Sequence, residues 1–193
     1  MIETPLFNGP NIHLTAIDPE KDAAVEAAWT YDLDYVQWVT EKPARPLGAL
    51  ALKKRHEEWQ KKTEDTGSQY YWAIRRTEGD ELIGFVRIPF VFWSHAYAIV
   101  NVAFGSAENL VLFGREALEL VLRYGFTELN LYRMETSLPA YREDAQALFE
   151  QAGFLLEVRR RKAFFRGGQY WDALHYGLLC HEWQAQHQIA EVL

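Results

Sequence analysis

At Gly114 the apolar pattern of this chain changes period, and that change constrains the fold more than any other feature. Upstream, HAYAIVNVAFG is an apolar run of the kind that forms a strand; downstream, GREALELVLRYGF gathers its apolar residues on one face of a helix. A second strand-type run, LYRMETSL, follows the helix. Strand, helix and strand in direct succession call for a parallel crossover, which few topologies accommodate. The join between the first two, SAENLVLFG, reads as a loop that ends on its single glycine.

The flanking sequence fits one mixed domain over residues 1–193. IHLTAID alternates as a half-buried strand does, and Asp18 with Pro19 forms a start signal for the helix DPEKDAAVEAAW. LDYVQWV is a second helical stretch, KPARPLG interrupts it, and LALKKRHEEWQKKTED is a charge-laced exposed helix. QYYWAIRR and ELIGFVRIPFVFW are strands joined by the turn TEGDE, and HAYAIVNVAFG is expected to run antiparallel to the second of them. After LYRMETSL come the helix REDAQALFEQAGF, a hairpin turning at Gly167-Gly168, and the helical tail HEWQAQHQIAEVL. The fold class is therefore α/β, an α+β mixed sheet with one parallel segment, and a ligand is expected beside that segment.

Composition narrows the function. Apolar residues make up 49% of the chain, enough for a real core. The formal charge of −7 argues against nucleic acid and anionic membranes, both of which select basic surfaces. Cys180 is the single cysteine, so no internal disulfide can form, and a buried thiol is the expected role. No secretory leader and no run of membrane-spanning length is visible, so a cytoplasmic protein is expected. His56-Glu57 lacks a second histidine at helical spacing, and no metal site is expected. The rows IPFVFW and YYW are open to either a cleft-lining or a core role.

The stretch from GREALELVLRYGF through AQALFEQAGF to RRKAFFRGGQYWDALHYGLL resembles the GNAT acetyltransferases, within them the branch of the ribosomal-protein N-terminal acetyltransferases. Gly153, Phe154, Gly168, Tyr170, Asp172 and Gly177 stand where that branch has them, and the likeness spans Ile12 to Trp183. The resemblance implies the GNAT fold and transfer of an acetyl group from acetyl-coenzyme A to a primary amine of a small molecule or peptide. It assigns coenzyme contacts to Val102 and Phe104 on the strand before the main helix, and to Asn109, Gly114 and Arg115 around a phosphate-binding loop. Glu135 is the candidate base and Ser137, on the same face of its strand, a candidate substrate contact. A homodimer is also allowed.

One loop and three single positions depart from the family pattern. The glycine-rich phosphate loop has become Leu110 to Phe113, with Leu112 in place of a glycine. Phe149 and Ala145 stand where relatives carry the hydroxyl that protonates the leaving thiolate, and Arg142 replaces a frequent asparagine. These changes keep a second reading open: a GNAT-fold protein with an impaired cofactor site that acts as a binding or dimeric module. That reading expects Leu110, Val111, Leu112 and Phe113 to be buried against the protein's own core or a partner chain.

Overall fold

The computed structural model describes residues 6–39 and 44–187. The element order is β1 (Ile12–Thr15), α1 (Lys21–Trp29), α2 (Leu33–Val39), α3 (Ala49–Thr66), β2 (Tyr70–Arg76), β3 (Leu82–Phe92) and β4 (Tyr97–Phe104). It continues with α4 (Ala107–Arg123), β5 (Arg133–Pro139), α5 (Glu143–Gln151), β6 (Leu155–Arg166), β7 (Gln169–Leu179) and α6 (Cys180–His187). Lys42 and Pro43 of the expected chain break, and the tail beyond His187, lie outside the described residues.

One seven-stranded sheet runs in the order β1-β2-β3-β4-β5-β7-β6. Every neighbouring pair is antiparallel except β4 and β5, which are parallel. That single parallel pair is the crossover demanded by the period change. It is also incomplete. The two strands pair only at Tyr97–Arg133, Ala98–Met134 and Ile99–Glu135, while β4 stays on β3 as far as Phe104 and β5 stays on β7 as far as Pro139. A bulge sits at the point of divergence: Arg87 pairs with Asn101 and Phe90 with Ile99, so Ile88 and Pro89 together oppose Val100. An extra residue bends and twists a strand pair, and Pro89 has no N–H to continue the ladder. The bend turns β4 away from β5 and opens a wedge.

Helix α4 covers one face of that wedge. Leu110, Gly114, Ala117, Leu118 and Val121 form its buried stripe, against a core that includes Val100, Val102 and Phe104. On the other face, α1 to α3 cover the sheet: Trp29 packs edge-on to Tyr35 and Phe85, and Trp59 stacks on Tyr71 at 4.9 Å. Of the two aromatic rows, Tyr70, Tyr71 and Trp72 are half-buried, with Tyr70 and Trp72 gathered around Tyr124, whereas in IPFVFW Ile88 and Val91 are core and Phe90 and Trp93 are exposed. The turn at Gly167-Gly168 has positive φ at both glycines, 60° and 78°, as the hairpin requires.

Two expectations about helix starts need correction. Helix α1 begins at Lys21 rather than beside Pro19, although the Asp18 carboxylate does accept from the Glu20 and Lys21 amides at 3.0 and 3.2 Å. More consequentially, α4 begins at Ala107, and Leu110 to Phe113 are helix rather than loop. The physical reason is that the apolar stripe extends backward from Gly114: Leu110 lies one turn before it, and Ser106 caps the start by accepting from the Asn109 amide at 3.2 Å.

Candidate active site

The wedge between β4 and β5 holds a cavity of about 50 Å³. Asn101 and Val102 line it from β4, Thr136 to Pro139 from β5, and Arg142, Ala145 and Phe149 from α5. The departures at Ala145 and Phe149 on α5 and at Arg142, its N-cap, therefore face one cavity. Thr136 adds a feature invisible in the sequence: its Oγ1 is buried with no hydrogen-bond partner among the described residues. Buried hydroxyls are almost always satisfied, so an orphan in a cleft marks a place where a partner belongs.

Beyond Arg142 lies a second cavity, about 30 Å³, at the N-terminus of α4, lined by Asp32, Asp34, Phe104, Ser106, Leu110 and Asp144 among others. That is room for about one water molecule. Arg142 borders both cavities and separates them. Its guanidinium donates to both oxygens of Asp144 at 2.9 and 2.7 Å and to the Asp34 carbonyl at 3.3 Å. Burial pushes the Asp144 carboxyl up, but the Arg142 hydrogen bonds and charge outweigh it and hold the pKa below the ordinary value.

The expected cofactor residues divide into two groups. Val102 and Phe104 lie along the wedge, and Ser137 joins them from β5. Asn109 sits in the first turn of α4, its amide given to Ser106 and its residue bordering a cavity on the far side with Trp29 and Arg75. Gly114 and Arg115 stand away from that terminus. Gly114 is buried inside α4, where a Cβ would come within 3.2 Å of Leu110 and Leu148, so it allows close approach of α5. Arg115 donates to the carbonyl of Gln151, at the end of α5. Of the apolar run, Leu110 is buried and Phe113 half-buried, but Val111 and Leu112 are 81% and 61% exposed, so the four do not form one buried cluster. Glu135 occupies the last rung of the β4–β5 ladder, with its carboxylate 3.3 Å from Arg133. Asp172 accepts from Arg159 and from the Lys162 amide, bracing the closing hairpin. Tyr176 is buried and donates to Glu150, whereas Tyr170 is exposed. Cys180 is half-buried, and burial pushes its thiol pKa up. No cluster of metal-ligating side chains occurs among the described residues, and no described helix is long and apolar enough to cross a membrane.

On the α1–α3 face lies a buried polar cluster of which the sequence singled out His56 alone, and only to set aside a metal role. Glu26 accepts from the Tyr35 hydroxyl and from Arg55, and its second oxygen lies 2.6 Å from His56 Nε2. Glu26, Tyr35 and His56 are each at most 1% exposed. Burial pushes the Glu26 pKa up, but His56, Arg55 and Tyr35 together bring it below the ordinary 4.5. The residues lie at separations of nine and about thirty positions, on three different helices, so no local motif signals them.

A mostly antiparallel sheet that parts at its one parallel pair, in front of a capped helix N-terminus, is the fold of the acetyltransferase structures to which this chain is similar. The chain belongs to the acetyltransferase (GNAT) domain family, which it matches over residues 11–155. It is 29% identical over 127 residues to the uncharacterized N-acetyltransferase YnaD of Bacillus subtilis, a match covering 63% of this chain and 71% of that protein. It is 33% identical over 72 residues to the spermidine N(1)-acetyltransferase of Escherichia coli, covering 37% of this chain and 39% of the relative. In fold it is similar to the crystal structure of spermidine N-acetyltransferase from Vibrio cholerae in complex with CoA and spermine. That likeness has a TM-score of 0.76 at 19% identity and covers 91% of this chain and 99% of the other.

Proposed function

We propose that this chain moves an acetyl group from acetyl-coenzyme A to a primary amine by direct attack in a ternary complex. The observation that carries this reading is the parted β4–β5 pair with the orphaned Thr136 hydroxyl inside it. Acetyl-coenzyme A supplies the acetyl thioester: the amide N–C bond forms as the thioester C–S bond breaks, with release of the thiol and one proton. The edge of β4 around Val102, which has left β5, offers backbone groups to an amide-bearing arm. The first turn of α4 and Arg142 would meet the diphosphate, because orphan helix amides and a forked guanidinium both suit phosphate oxygens. Arg142 would then exchange its carboxylate partner for the ligand, taking over from the missing glycine loop.

Glu135 and Ser137 lie on one face of β5, at and just beyond the last rung. Glu135 takes the proton of the incoming ammonium, directly or through a water, and Ser137 helps to seat the amine. Thr136 Oγ1 donates where Phe149 and Ala145 cannot, toward the developing thiolate.

Calorimetry with acetyl-coenzyme A, paired with an assay of thiol release in the presence of primary amines, tests the reading. Binding together with amine-dependent thiol release is expected. No heat at millimolar acetyl-coenzyme A overturns it.

A further inference from the structure

The α1–α3 side of the wedge holds a cavity of about 420 Å³, within the size range of small-molecule sites. Val36, Val39 and Trp59 supply apolar walls, and the charged lining residues are Arg45, Lys54, Arg55, Arg87 and Glu58. This cavity shares Val39, Trp59 and Arg87 with a narrow one of about 10 Å³, which in turn shares Asn101 and Val102 with the β4–β5 wedge. A line of cavities thus runs from the wide chamber to the place where Thr136 and Ser137 stand.

Among the described residues, the charge in the chamber is not balanced from within. Arg55 is matched by Glu26 behind it. Arg87, half-buried at the junction with the narrow cavity, donates to the Val39 carbonyl at 3.3 Å and forms no ion pair among the described residues. Arg45 and Lys54 form none either, and Glu58 is the one carboxylate among the described lining residues. Burial draws the Arg87 pKa below its ordinary value, the direction expected of a cation taken out of water. Like charges gathered in a partly desolvated chamber are stabilised by an anion and repel a cation.

We propose that the acceptor amine carries an anionic group, a carboxylate or a phosphate, which sits in this chamber beside Arg45, Lys54 and Arg87 while its amine reaches the wedge past Asn101. The proposal deepens the acetyl-transfer reading and rests on it for the fate of the amine. It sets this chain apart from its spermidine-acetylating relatives, because a polyamine would bring further positive charge into a chamber that already has an excess.

The test compares matched amines on the full chain: 6-aminohexanoate against its carboxamide, O-phosphoethanolamine against ethanolamine, and spermidine beside them. At least one anionic member should exceed its neutral partner in kcat/KM by about tenfold or more, and spermidine should be the poorest. The carboxylate and phosphate pairs show which anion is meant. Lys54→Ala and Arg45→Ala, both at exposed positions, should raise KM for the preferred anion by about tenfold, with acetyl-coenzyme A affinity unchanged. Preference for spermidine or for both neutral amines, or variants that leave KM unmoved, overturns the proposal. Calorimetry of each ligand alone separates the two ideas. If acetyl-coenzyme A fails to bind while the anionic amines still bind and the variants weaken them, the transfer reading falls and the anion chamber stands. If acetyl-coenzyme A binds and spermidine is turned over best, the chamber proposal falls and the transfer reading stands.

Discussion

The two sides of the β4–β5 wedge each hold an arginine on a carboxylate, but in opposite ways. On the α4–α5 side Arg142 is closed onto Asp144 and the Asp34 carbonyl, and it divides the space into cavities of about 50 and 30 Å³. On the α1–α3 side Arg55 is drawn back onto Glu26, and the chamber in front of it stays open at about 420 Å³. The difference lies in where the carboxylate sits. Asp144 belongs to the first turn of α5 and holds its arginine across the groove, whereas Glu26 lies fully buried in α1 and holds its arginine against the wall. One side is an open chamber, and the other is divided by a single side chain.

The largest expected effect strikes the open side. Glu26→Ala strands Arg55 and His56 and should cost about 3 to 5 kcal/mol, read as a lowered urea midpoint. A loss under about 1 kcal/mol would mean that the cluster does not hold the chamber wall. Next comes the wedge itself. Thr136→Val removes an unsatisfied buried hydroxyl, so stability should hold or rise by about 1 kcal/mol while kcat falls about tenfold to a hundredfold. An unchanged kcat would rule the hydroxyl out as the proton donor.

Arg142→Ala decides what the closed side is for. If Arg142 is a phosphate ligand, acetyl-coenzyme A affinity should fall about tenfold by calorimetry. A rise would make the arginine a plug, and the narrow side an obstruction rather than a site. The smallest effect is in acid. Because the folded pKa of Glu26 lies below its ordinary 4.5, its contribution is present above that pH and is lost as the pH falls through the folded value. Stability should therefore decline in that window for the native chain and more weakly in Glu26→Gln; equal declines in both would place the acid sensitivity elsewhere.

How much of this was legible beforehand differs between elements. Strands β2 to β7 announced themselves because alternation and turn residues are local signals, and Gly167-Gly168 fixes its hairpin through backbone freedom alone. The beginning of α4 misled because the single glycine drew the boundary to itself. In the folded chain that glycine serves close packing on Leu148, and the true signal was the cap at Ser106 with an apolar stripe running through Leu110. Phe149, Ala145 and Arg142 were singled out from the family pattern and do share a cavity. The same pattern pointed to Gly114 and Arg115, which stand away from the helix N-terminus.

The sequence by itself determined the order of strands and helices, the single parallel crossover and the family, since each rests on periodicity or on residues close together along the chain. Only the tertiary structure decided where β4 leaves β5, that Thr136 is left without a partner, and that Glu26, Tyr35, Arg55 and His56 meet. The physical reason is that burial and charge pairing depend on distances through space. A bulge opposite Val100 and three helices folded over one sheet face set those distances, and no local pattern in the chain records them.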